Sequence, residues 1–105
     1  MKAKNYLLIL ALYASSHSVA QITITDSILS GGVYRTYVLY VPAIYNSANP
    51  VPLVFNLHGG TGDGNQQMQF GDFRPIADNA NFIVVQPTAL GGSAPYWRVP
   101  QIHQA

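Results

Sequence analysis

Val51-Pro-Leu-Val-Phe-Asn-Leu-His-Gly-Gly-Thr-Gly62 changes character at one residue. Leu53 to Leu57 form a nearly continuous apolar run, which suits a strand over Pro52 to Leu57 buried on both faces of a sheet. The run stops at His58, and the four residues that follow contain three glycines. Glycine lets backbone N–H groups approach a ligand with no Cβ in the way, and open α/β sheets place their chemistry in loops at the carboxyl ends of strands. The loop from His58 to Gly62 is therefore where function is expected.

Downstream, the Asp63 side chain is placed to cap a helical piece over Asn65 to Phe70. Gly71 interrupts it. Asp72 offers a second cap, Pro75 is tolerated in the first turn, and Arg74 to Asn79 continues as a short helix with Phe73, Ile76, Ala77 and Ala80 on one face. Phe82 to Gln86 is another apolar run, stopped by Pro87. Strand, glycine loop, helix and strand make a β-α-β unit, with parallel strands and a right-handed crossover.

Upstream, Ile22-Thr-Ile-Thr25 alternates apolar with polar, and Val33 to Val41 is rich in β-branched and aromatic residues. Gly31-Gly32 between them supplies the two positive-φ positions of a primed turn, which predicts an antiparallel hairpin from Gln21 to Val41. Pro42 closes it, and Ala43 to Pro50 has the composition of a surface turn. The expected fold class is α/β, a β-hairpin followed by a β-α-β unit. Thr88 to Trp97 reads as a loop with an aromatic anchor, and Arg98 to Ala105 shows no periodicity.

The first twenty residues have a different purpose. Lys2 and Lys4 precede an apolar block from Tyr6 to Ala14, then small and polar residues with Ser18 and Ala20 at the minus-three and minus-one places of a cleavage site. Residues 1–20 thus read as a secretory signal peptide, and His17 within it belongs to no site. The block is too short to span a hydrocarbon core of ~30 Å. Residues 21–105 form the expected α/β domain of an extracellular or periplasmic protein, with no membrane attachment after cleavage. There, three arginines against four aspartates leave a net charge of −1, too little positive charge to hold a nucleic acid. The chain has no cysteine. About 85 residues without disulfides bury only a little over ~60% of their unfolded surface, a marginal sum for long apolar strands.

Three readings compete for His58-Gly-Gly-Thr-Gly-Asp-Gly64. A dinucleotide site fails in detail: Asn65 stands where the third glycine is required, and Gln86-Pro87 stands where the ribose-binding acid belongs. No Lys-Ser/Thr pair follows, which excludes a triphosphate loop. An oxyanion hole would use the N–H of Gly60 or Thr61, with His58 and Gly59 shaping the loop. The third reading is a tight turn whose glycines serve geometry alone. No catalytic triad accompanies the loop. The nearest approach to the Gly-x-Ser-x-Gly elbow is Gly91-Gly-Ser-Ala-Pro95, where Pro95 replaces the second glycine and no buried strand leads into Gly91, so Ser93 is rejected as nucleophile. His103, near the chain end, reads as solvated surface. Asp63, Asp72 and Asp78 read as caps and exposed charges, and no group has metal-ligand spacing. No cofactor is expected.

Tyr34-Arg-Thr-Tyr-Val-Leu-Tyr-Val-Pro42, Val51 to Gly60, Ile76-Ala-Asp with Phe82 to Pro87, and Tyr96-Trp97 together resemble the amino-terminal part of secreted polyhydroxybutyrate depolymerases and feruloyl or acetyl-xylan esterases. The resemblance covers roughly residues 30 to 97. It implies an incomplete α/β-hydrolase sheet and a serine esterase acting on a polyester or an acylated polysaccharide, with Gly60 and Thr61 in the oxyanion hole. It carries no triad residue, because in that family all three come later. The family also continues from the tryptophan with Asn, whereas Arg98 follows here. A truncated or frameshifted frame is the expectation, leaving a catalytically silent, poorly soluble chain with an open sheet edge prone to self-association. The alternative is a small secreted binding module in which Tyr34, Tyr37, Tyr40, Tyr96 and Trp97 contact a carbohydrate or polymer.

Overall fold

The structure, a computed structural model, describes residues 20–91 and residue 97. The signal-peptide expectation, Ser93, Tyr96 and His103 lie outside these residues. Strand β1 (Ile22–Ser30) and strand β2 (Val33–Val41) form an antiparallel hairpin in register from Ile22 opposite Val41 to Ser30 opposite Val33. Gly31 and Gly32, at φ 61° and 75°, supply the two left-handed residues of its turn, a conformation glycine adopts without penalty.

Strand β3 (Leu53–Phe55) is followed by helices α1 (Gly64–Phe70) and α2 (Arg74–Ala80) and by strand β4 (Ile83–Pro87). β4 pairs antiparallel with β2 and parallel with β3, so the sheet order is β1-β2-β4-β3. Among the described residues β3 is an edge strand. It is shorter than expected, although ladder bonds reach beyond it: the Ile83 N–H donates to the Pro52 oxygen at 3.0 Å and the Asn56 N–H to the Val85 oxygen at 2.9 Å.

The helix ends follow from their caps. Asp63 Oδ1 accepts from the Gln66 N–H at 2.9 Å, and the Gly71 N–H closes α1 on the Gln67 oxygen. Asp72, expected to cap α2, sits one residue too early. The N-cap is Phe73, which makes no side-chain cap bond, while Asp72 Oδ1 accepts from the Arg74 N–H at 3.0 Å. Two 2.8 Å bonds from the Arg74 guanidinium hold the Asp72 carboxyl below the usual carboxylate range. Both side chains are about a third exposed, so the pair contributes little to stability.

One face of the sheet is packed. Val38 and Tyr40 of β2 stand opposite Gln86 and Val84 of β4, and Tyr40, Val84 and Ala77 of α2 form a buried cluster flanked by Phe82. Gln86 is fully buried there with both amide atoms unpaired among the described residues, a cost of about 1–3 kcal/mol per group. The other face is bare at β3, which corrects the expectation of a strand buried on both sides. Leu53, Phe55 and Leu57 are 51, 64 and 52% exposed. Asn56 and His58, of the opposite parity, are buried and hydrogen-bonded, so it is the apolar residues that face outward.

Tyr40 links the hairpin to α2. Its hydroxyl donates to Asp78 Oδ1 at 2.6 Å, and Gln21 Oε1 lies 3.1 Å away. Burial first, then the hydrogen bond to Asp78 and its charge, push the phenol up to about 12. The folded chain therefore keeps this proton where the unfolded chain loses it, between pH ~10 and ~12. Its contribution is complete below pH ~10 and falls by about 2–3 kcal/mol as pH rises through the folded value. Thermal unfolding followed from pH ~9 to ~12 should show that loss, and Tyr40→Phe should remove it. An unchanged slope in the variant would refute the assignment.

Candidate functional site

The end of β3 is fixed to the helical layer before the glycine loop begins. Asn56 Nδ2 donates to the Gly71 oxygen at 2.8 Å, and Asn56 Oδ1 accepts from Gln67 Nε2 at 2.8 Å. This buried amide pins the junction of α1 and α2 to the strand that carries the loop. Gly64 brings α1 down onto β4: its N–H donates to Thr88 Oγ1 at 2.9 Å, and a Cβ there would overlap the Gln86 carbonyl oxygen.

His58 organises the loop. Its Nε2 accepts from the Ala89 N–H at 2.9 Å, so the ring proton resides on Nδ1, which donates to the Gly59 oxygen at 2.6 Å. The Gly62 N–H reaches the same oxygen at 3.2 Å. With that carbonyl held on the inside, the N–H of Gly60, at the other end of the same trans peptide, points away from the His58 ring. Among the described residues neither the Gly60 N–H nor the Thr61 N–H has a hydrogen-bond partner. Thr61 lies at φ 66°, a strained conformation for a β-branched residue that costs about 1–3 kcal/mol and is characteristic of functional sites.

Trp97 meets this arrangement from outside. Its indole N–H donates to the His58 oxygen at 2.8 Å, and its ring lies 4.9 Å from the imidazole, tilted by 35°. A pocket of about 250 Å³ opens over the loop, lined by His58 to Gly62, Gln66, Gln67 and Phe70. Among the described residues no Asp, Glu, Lys or Arg lines it. The arrangement leaves two backbone N–H groups without partners among the described residues in the loop that lines the pocket.

His58, Gly59, Gly60 and Thr61 are thus brought together. The acidic residues are not: Asp63 caps α1, Asp72 pairs with Arg74, and Asp78 accepts from Tyr40. No cluster able to hold a metal ion occurs among the described residues. The aromatic residues of the binding-module alternative are scattered, with Tyr40 buried on the packed face and Tyr34 exposed near the hairpin turn. Asn56, Gln67, Thr88 and Ala89 escaped the sequence reading. Asn56 alone left a signal, as the polar residue inside the apolar run.

The chain matches no protein-family model and no curated protein. Among solved structures it is similar to a ferulic acid esterase, with 20% identity over 66% of this chain and 30% of that one, at a TM-score of 0.56. An S-formylglutathione hydrolase from Agrobacterium tumefaciens shares 25% identity over 76% of this chain and 30% of that one, at 0.59. The corresponding Staphylococcus aureus apoenzyme shares 19% over 77% of this chain and 37% of that one, at 0.51. This chain spans about a third of their length. Its fold is a partial α/β-hydrolase sheet, and these structural neighbours are esterases and hydrolases.

Proposed function

We propose that this chain is the amino-terminal part of an exported serine carboxylic-ester hydrolase, in which the loop at residues 58–61 stabilises the oxyanion. The observation that carries the reading is the Gly59–Gly60 peptide. Its carbonyl is held by the His58 imidazole and the Gly62 N–H, and its N–H, which has no partner among the described residues, belongs to the loop that lines the pocket. In ester hydrolysis a serine oxygen attacks the acyl carbon, the C=O electrons move to oxygen, and the anion needs fixed donors at hydrogen-bond distance. The Gly60 N–H, with the Thr61 N–H beside it, supplies them. Both His58 nitrogens are engaged, so the ring positions the loop and leaves proton transfer to another group. By resemblance the substrate is a polyester or an acylated polysaccharide, residues 1–20 direct export, and nucleophile, acid and base lie on sequence beyond this segment.

The test uses p-nitrophenyl acetate. The purified 21–105 chain and its Ser93→Ala variant should both be silent, whereas a chimera carrying residues 21–97 in place of the matching part of the Agrobacterium hydrolase should turn over. Activity of the chain alone that vanishes in Ser93→Ala would overturn the missing nucleophile. A folded but inactive chimera would overturn the role of the loop.

A further inference from the structure

Building on that oxyanion reading, we propose that Trp97 is a positioning residue for the loop, acting through His58. Gly59 and Gly60 carry no Cβ and have open space where one would stand, so no side chain at either position restricts the two peptide units on either side of Gly59. Their carbonyls fix their direction. The His58–Gly59 unit is fixed where its oxygen accepts the Trp97 indole N–H at 2.8 Å. The Gly59–Gly60 unit is fixed where its oxygen accepts from His58 Nδ1 and from the Gly62 N–H.

Trp97 therefore acts on this relay twice. Its N–H holds the first peptide, and its ring lies against the imidazole that holds the second. The Ala89 N–H fixes the imidazole from the other side through Nε2, so the hydrogen bonds run from Ala89 through His58 to Gly59 and end at the free N–H of Gly60. Donors and acceptors coupled in this way strengthen one another and lose strength together. Without the indole donor the first peptide is free to rotate, and the Gly60 N–H loses its fixed direction.

The Ala89 and Gly62 amides report on the relay, because both donate within it. Amide hydrogen exchange by mass spectrometry on the dilute 105-residue chain should show both exchanging about tenfold faster in Trp97→Phe, the loss of one ordinary hydrogen bond. The amides pairing β2 with β4 should keep their wild-type rates. Trp97→Phe keeps a ring over His58 and removes only the donor, so general loss of packing is not the expected result. Wild-type rates at both reporters would overturn the proposal, and so would a uniform acceleration that includes the β2–β4 ladder. The readout is independent of catalysis: an esterase chimera indifferent to loss of the Gly60 N–H would refute the oxyanion reading, while the two amides would still decide whether Trp97 holds the loop.

Discussion

Gly60→Pro should lower kcat of a catalytically competent chimera carrying this loop by about 10²–10³-fold, the usual cost of one oxyanion donor. Proline deletes the Gly60 N–H, which has no hydrogen-bond partner among the described residues. Two known obstacles are absent: Gly60 does not have a positive φ, and no atom lies within 4 Å of where its Cβ would stand. The matched control is Gly60→Ala, which retains the donor and fills the same open space, and should keep kcat within about threefold if the donor is what matters. Circular dichroism must show both variants folded. A folded Gly60→Pro chimera as active as Gly60→Ala would remove Gly60 from the oxyanion hole.

Gly64→Ala should lower the thermal midpoint of the chain by about 12 °C or more. The added methyl would overlap the Gln86 carbonyl oxygen, a backbone atom on the strand that pairs with both β2 and β3. A flexible side chain could turn away, but this oxygen moves only if β4 leaves its register with Val38. Moving α1 outward instead breaks the bond from the Gly64 N–H to Thr88 Oγ1 and loosens the entry to the helix. Overpacking of this kind costs about 3 kcal/mol or more when the neighbour is backbone. At ~0.05–0.15 kcal/mol per residue, a domain of about 85 residues has roughly 4–13 kcal/mol in all, so the change removes a large share of it. Gly60→Ala is again the control, since it adds the same methyl in open space. A Gly64→Ala melt within about 4 °C of wild type would show that helix and strand separate more readily than the contact implies.

Much of this architecture could be read from local chemistry. Gly31-Gly32 announced a turn that needs two left-handed residues, Asp63 announced a helix start, and two apolar runs flanking a helical stretch announced parallel pairing. Each signal is complete within a few residues. The errors arose where the deciding contact is distant in sequence. The apolar run at Leu53 to Leu57 suggested burial on both sides, but Asn56 is held by Gln67 and Gly71, and His58 by Ala89. Those partners claim one parity of the strand for polar anchoring and turn Leu53, Phe55 and Leu57 outward. The loop's position could be inferred from its glycines. The direction of its N–H groups could not, because that depends on a histidine tautomer set 31 residues away.

The strand order also sets a timetable for synthesis. The hairpin partners are neighbours in sequence, so β1 and β2 can pair as soon as both have left the ribosome. β3 cannot, because among the described residues its one strand partner is β4. At ~5–20 residues per second, the roughly thirty residues between them keep Leu53 to Leu57 without a partner for about two to six seconds. The segment that presents the glycine loop is thus an apolar stretch left waiting for its partner after the hairpin has closed, and the one a nascent-chain chaperone would hold longest.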